Sequence, residues 1–215
     1  MGKKIIFLSF IFIYFFDVKN IIYIKQMQHL QKLPEYLEQM INFKNPLLWL
    51  SGMHIFFNVI YWNITSRIQY KTKIFSKLFG NKKIAVYIHT ILIFSFGLSR
   101  DFLYKYVVNT SSNFFPAIDN QYITLLGYLM LLSGITLVSS ATYKLGIIGT
   151  FNGDAYGFLL PSIITSFPFN LFNAPMYLGS TMNFLGYAFI HKSATGIFLT
   201  MLVATAYFFG TFFEE

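Results

Sequence analysis

From Ala194 to Phe213 the chain carries no charged residue, and the run is followed at once by two carboxylates, Glu214 and Glu215. About 20 apolar residues at about 1.5 Å each reach about 30 Å, the thickness of a bilayer's hydrocarbon core. Such a run folds as a helix that hides its backbone from lipid, because an unpaired amide costs several kcal/mol there, in round figures about 4. The helix delivers the two carboxylates to a membrane surface. Composition agrees: of 215 residues 55% are hydrophobic and 11% charged, against about a quarter charged in a soluble domain. The expected class is all-α, a polytopic integral membrane protein with about four core hydrophobic helices and an N-terminal apolar segment.

The chain holds no cysteine, which excludes disulfides, thiolate zinc sites and thiol nucleophiles. Its four histidines are scattered, so no metal is expected. The formal charge of +8 does not point to nucleic acid, because six basic residues cluster between apolar runs: Arg67, Lys71, Lys73, Lys77, Lys82 and Lys83. A short basic loop beside spans is held on the cytoplasmic side and faces anionic headgroups. The partner it implies is a membrane surface.

Residues 1–24 open MGKK and continue IIFLSFIFIYFF with no small-residue cleavage site after them. They read as an uncleaved anchor, with an interfacial helix and a true signal as alternatives. Residues 25–46 are polar, with a short surface helix after Pro34, so residues 1–46 separate from a membrane-embedded domain over 47–215. Hydrophobic helices are expected over 47–66, 84–98, 122–148 and 194–213, with a polar connection from Arg100 to Gln121. Gly149, Gly153 and Gly157 recur every fourth residue and suggest a helix-packing face. The stretch 158–190 is apolar but broken by Pro161, Pro168, Pro175, Gly179 and Gly186. Irregular backbone at membrane depth survives only against protein or a cavity, so this stretch is the natural wall of a site.

The Glu pair is the least ordinary feature, since adjacent carboxylates repel and oppose the helix dipole at a C-terminus. It is either a solvated end or a seat for a cation. His191, just before the last helix, is either an interfacial anchor or a proton acceptor. Tyr177 and Asn173 either donate to a ligand or satisfy irregular backbone.

The stretch SFPFNLFNAPMYLGSTMNFLGYAFIHKSATG, with FFEE after it and FFNVIYWNITSRIQYKTKIFSKLFG before it, resembles the phosphatidylethanolamine N-methyltransferase family over about residues 47–215. The resemblance implies methyl transfer from S-adenosylmethionine to a phospholipid headgroup amine in the bilayer, and the family's usual address is the endoplasmic reticulum, with a mitochondrial membrane as the alternative. It carries cofactor binding onto Glu214 and Glu215 and onto the triplet Leu132, Ser133 and Gly134, which keeps one glycine of the family's G-x-G. It makes Asn173, Pro175, Tyr177, Gly179 and Ser180 substrate-binding candidates, and His191 and Tyr177 catalytic ones. The sub-pattern P-x-Y-x-G is shared with isoprenylcysteine carboxyl methyltransferases, so a protein carboxyl methyltransferase is the alternative enzyme, and a helical scaffold the non-enzymatic one. Oligomeric state is unspecified.

Topology poses a difficulty. If the basic loop is cytosolic and all four helices cross, the Glu pair lies on the opposite side from a cytosolic methyl donor. Either 47–66 is re-entrant, or part of 158–190 crosses as well.

Overall fold

The computed structural model describes residues 33–111 and 118–214, with side chains described from 37 to 212. The expectations for residues 1–24 lie outside the described residues. The short helix expected after Pro34 is α1, Leu33–Met40. The compact unit that carries the rest begins at Met40. Its helices are α2 (Pro46–Thr72), α3 (Ile74–Leu78), α4 (Lys82–Thr110), α5 (Gln121–Thr150), α6 (Pro175–Ile190) and α7 (Ala194–Glu214), with a 3₁₀ turn over Gly153–Tyr156. No strand occurs among the described residues.

Three of the long helices start on an asparagine. Asn45, Asn81 and Asn120 each accept, through the side chain, the amide two residues on, at 3.0, 2.8 and 2.8 Å. Each bond satisfies one of the orphan donors of a first turn. Pro46 follows the first of these caps, where its missing N–H costs nothing. The stretches Pro46–Thr72, Lys82–Thr110, Gln121–Tyr156 and Ala194–Phe212 are long and apolar enough to cross a bilayer. Large apolar side chains such as Tyr143, Phe102 and Leu132 point outward along them. Water would penalise that exposure; hydrocarbon does not. The molecule is an all-α membrane protein.

Two helices run well past their expected ends. α2 continues through Arg67 and Lys71 to Thr72, and the buried Gln69 then holds the next turn. Its Oε1 accepts the amides of Phe75 and Ser76 at 3.0 and 3.3 Å, and its Nε2 donates to Ser76 Oγ at 2.7 Å. The basic segment is therefore mostly helix. α4 does not stop at Leu98: it carries Arg100 and Asp101 within the span, where a connection was expected.

The core lies where α2, α4 and α7 meet, built from Leu48, Ile55, Val59, Trp62, Val107, Leu199, Val203 and Tyr207. α4 runs antiparallel to α2, since Thr65 meets His89 and His54 meets Ser99. α7 runs parallel to α2, since a Cβ on Gly52 would touch Leu202 and one on Gly210 would touch Val59.

The stretch 158–190 is irregular only over its first half. From Pro175 it is a continuous helix, with the proline at its first position. α6 lies antiparallel against α5, and paired glycines set the distance. A Cβ on Gly186 would stand 2.6 Å from the carbonyl oxygen of Gly127, and one on Gly179 would stand 2.7 Å from that of Gly134. Only glycine allows helix backbones to approach so closely. α6 thus returns the chain to the end where α5 began.

α2 is one continuous helix through 47–66, and α6, 16 residues long, runs back along α5. The end of α2, the start of α4, the end of α5, the start of α6 and the end of α7 consequently gather at one end, here called the basic end. Gly149, Gly153 and Gly157 do not form a helix face there. Gly153 and Gly157 bracket the 3₁₀ turn, and Gly157 closes it in the left-handed region at φ 83°.

Candidate functional site

The turn after α5 is fastened to the helices on either side of the basic loop. Lys73 Nζ donates to the carbonyl of Ala155 at 3.4 Å, Lys82 Nζ lies 5.1 Å from the centroid of the Phe158 ring, and the Tyr156 ring lies 5.7 Å from that of His89. α7 reaches the same end with Glu214 as its last residue. The side chain of Glu214 and the whole of Glu215 lie outside the described residues.

The first turns of α6 enter this region from the other side. Pro175 is buried, Asn173 is exposed in the turn before it, and Tyr177 is half-buried. The Tyr177 ring stacks on Trp62 of α2, with centroids 6.2 Å apart and planes 9° from parallel, and meets Tyr207 of α7 at 4.8 Å. One turn on, Ser180 Oγ is 2.9 Å from the Tyr207 hydroxyl. That hydroxyl also accepts from Arg100 Nη1 at 2.6 Å. Arg100 is buried, and its Nε and Nη2 donate to Asp101 Oδ1 at 3.0 and 2.8 Å. Its guanidinium lies 5.0 Å from the centroid of the Phe184 ring. A charged side chain inside a span is expensive and is kept where it is paired. Here the pairing joins α4, α6 and α7.

Tyr177 and Ser180 thus meet around Tyr207, two turns before Glu214. Gly134 and Gly179 meet each other across the α5–α6 seam, and Asn183 also closes on Gly134. Ser133 and Leu132 are exposed on the adjoining faces of α5. His191 is not brought to this group. It caps the far end of α6, 14 residues from Tyr177 and so about 21 Å away along the axis. There its ring packs on Tyr187 at 4.2 Å, beside an ion pair between Lys192 and Asp119. Partial burial holds its imidazole below the ordinary histidine value.

Sequence reasoning passed over Arg100, Asp101 and Tyr207. A signal was present: an adjacent acid–base pair at the end of the uncharged run from Ile84 to Leu98. Tyr104 is fully buried, and its hydroxyl donates towards the carbonyls of Phe184 and Gly196 at 2.8 and 3.0 Å. Among the described residues, no three histidine or acidic side chains gather closely enough to hold a metal.

Residues 122–215 match the phospholipid methyltransferase family. The chain is 39% identical to the phosphatidyl-N-methylethanolamine N-methyltransferase of Neurospora crassa, over 81% of this chain and 82% of that one. It is 38% identical to phosphatidylethanolamine N-methyltransferase A of Dictyostelium discoideum, over 84% of each chain. It is also 38% identical to the human phosphatidylethanolamine N-methyltransferase, over 75% of this chain and 80% of that one. No solved structure matches.

Proposed function

This chain belongs to the phospholipid methyltransferase family, and we propose that it methylates the headgroup amine of phosphatidylethanolamine or phosphatidyl-N-methylethanolamine, with S-adenosylmethionine as methyl donor. The observation that supports this best is the return of α6 along α5. It brings the end of α7 to the same end of the bundle as the basic segment. An excess of Lys and Arg marks that end as cytosolic, the side from which a soluble donor arrives.

When bound, the donor supplies a methyl group activated on a positively charged sulfur. The residues present suit such a molecule in charge: the carboxylates of Glu214 and Glu215 favour a cation. Gly134 is already covered by α6, so contact on α5 falls to Ser133 and Leu132, which face outward. Asn173, Pro175, Tyr177 and Ser180 frame the lipid's side of the site from the start of α6, while Gly179 is closed into the seam with Gly134. The lipid keeps its acyl chains in the bilayer while its headgroup enters between helices. Holding two reactants in line supplies about 7–11 kcal/mol in well-oriented cases, which is why a site made mainly of positioning groups suffices. The methyltransferase proper is residues 47–215, and the membrane is that of the endoplasmic reticulum.

Membranes carrying the protein, incubated with methyl-labelled S-adenosylmethionine and then extracted, test this directly. Label in phosphatidylcholine or its mono- and dimethyl precursors is expected. Label in protein would select the carboxyl methyltransferase instead, and label nowhere would leave a scaffold. Glu214→Gln and Glu215→Gln are each expected to weaken donor binding at least about tenfold, measured by equilibrium binding, with the protein still folded.

A further inference from the structure

One habit recurs along these helices, and Ser180 departs from it. Thr65, Thr136, Thr200 and Thr205 each donate to the carbonyl four residues earlier in their own helix, at 2.6, 2.8, 2.8 and 2.8 Å. Thr181, the residue after Ser180, does the same to Tyr177 at 2.8 Å. Such back-bonding is what a helical serine or threonine does when no better partner is offered. Ser180 instead reaches across to α7, where its Oγ is 2.9 Å from the Tyr207 hydroxyl.

The hydrogens of this contact can be counted. Tyr207 is only 6% exposed, and its oxygen already accepts from Arg100 Nη1 at 2.6 Å. The single hydrogen of the phenol has one acceptor among the described residues, Ser180 Oγ. If Ser180 donated instead, the phenol hydrogen would be buried without a partner, which is the costlier arrangement. The bonds therefore run from Arg100 to Tyr207 to Ser180, each polarising the next. The hydrogen of Ser180 itself is left over, with no acceptor among the described residues.

That spare donor lies where a ligand reaches it. Tyr177, Ser180 and Phe184 share the face of α6 turned towards α4 and α7. Phe184 is buried, Ser180 and Tyr177 are half-buried, and Asn173 in the turn before the helix is exposed. The face is thus closed at Phe184 and opens towards the basic end. Ser180 stands five residues beyond Pro175, about 8 Å along the axis of α6. On the facing helix, α7 runs on from Tyr207 for seven residues, about 10 Å, to Glu214.

We propose that Tyr207 is a positioning residue: oriented by Arg100, it holds Ser180 so that the Ser180 hydroxyl donates to a phosphodiester oxygen of the substrate lipid. The assignment rests on the phospholipid N-methyltransferase reading above and says which part of the lipid the start of α6 holds. The phosphodiester is the charged acceptor of a phospholipid headgroup, and hydrogen bonds to a charged acceptor are the stronger kind. A short two-carbon link joins that phosphate to the amine. A phosphate at Ser180 therefore leaves the amine towards the basic end, the side of Glu214 and of the cationic donor. Without the phenol, Ser180 would fold back onto the carbonyl of Met176, as Thr181 does onto that of Tyr177, and the lipid would lose its donor.

The test compares Tyr207→Phe, Ser180→Ala and the double variant, each as full-length protein in mixed micelles of detergent and phosphatidylethanolamine. Label transfer from S-adenosylmethionine is followed as the mole fraction of lipid varies, beside donor binding. Each single variant is expected to raise KM for the lipid about tenfold, with kcat and donor affinity within about twofold. The double variant should be no worse than either single one, because both substitutions remove the same bond to the lipid; independent effects would multiply to about a hundredfold and overturn the proposal. Ser180→Thr, which keeps the hydroxyl, should recover most of the loss. A normal KM in Tyr207→Phe, or a fall in kcat at unchanged KM, would also overturn it. If Tyr207→Phe does not accumulate as folded protein, the serine variants decide. A raised KM in Ser180→Ala that Ser180→Thr recovers sustains the proposal, and any other result overturns it. A wild type that labels no phospholipid would remove the parent reading and the proposal with it. Wild-type labelling beside unimpaired variants would remove the proposal alone.

Discussion

Arg100 is the residue whose environment changed most between sequence and structure. Read along the chain it opens a polar connection, because it follows an apolar run and precedes Asp101. In space it is buried mid-helix, paired with Asp101 and bonded to Tyr207, which lies 107 residues away. Nothing local to Arg100 announces that partner. Removing the guanidinium would leave the Tyr207 hydroxyl with Ser180 alone and the half-exposed Asp101 carboxylate without its cation. Arg100→Met should therefore cost about 1–2 kcal/mol, read as a fall in the unfolding midpoint in detergent. An unchanged midpoint would mean that the network contributes nothing to stability. His191 offers a milder test. Its folded-state imidazole sits below the ordinary 6.5 because of desolvation, so just under pH 6.5 the unfolded chain binds more protons than the folded one. Its share of stability is whole above 6.5, falls as the pH drops through that value, and levels off once the folded group protonates too. His191→Gln should flatten the slope of stability between pH 7 and 5, followed by thermal melts; an identical slope would refute the account.

At the level of elements, the α5–α6 hairpin decides where the site can be. Its seam is written in the sequence as glycines seven apart on each helix, Gly127 and Gly134 against Gly179 and Gly186, but the two sets show their meaning only when superposed. Read singly, the α6 glycines suggested a broken chain, and Gly134 suggested close approach by another helix or a ligand, of which the helix is what the structure holds. Inside a bilayer, glycine in a helix need not break it, because the backbone has no water to turn to and a neighbouring helix rewards close approach. Gly186→Val would drive its Cβ to 2.6 Å from the carbonyl oxygen of Gly127, against rigid backbone. It should cost about 1–3 kcal/mol and loosen the hairpin, detected as faster proteolysis of the 151–174 connection. Gly97, whose Cβ would meet nothing within 4 Å, is the control: Gly97→Val should leave proteolysis unchanged.

For the molecule as a whole, the consequence is sidedness. The absence of cysteine makes it easy to measure, since any introduced thiol is the only one. Lys77→Cys and Asp154→Cys should react with an impermeant maleimide from one face of sealed membranes, and Thr110→Cys from the other. Labelling of the first two from opposite faces would contradict the meeting of the basic segment and the 3₁₀ turn at one end. Hydropathy and charge along the sequence were enough to show that this chain is a helical membrane protein, roughly where its four long spans lie, and which segment carries the positive charge. Those are properties of residues meeting a solvent, or of neighbours a turn apart, and each is readable one window at a time. The return of α6 along α5 and the burial of Arg100 are contacts between segments far apart in the chain. Helices of similar hydropathy pack by shape and by polar partners, and only the folded arrangement decides which surfaces meet.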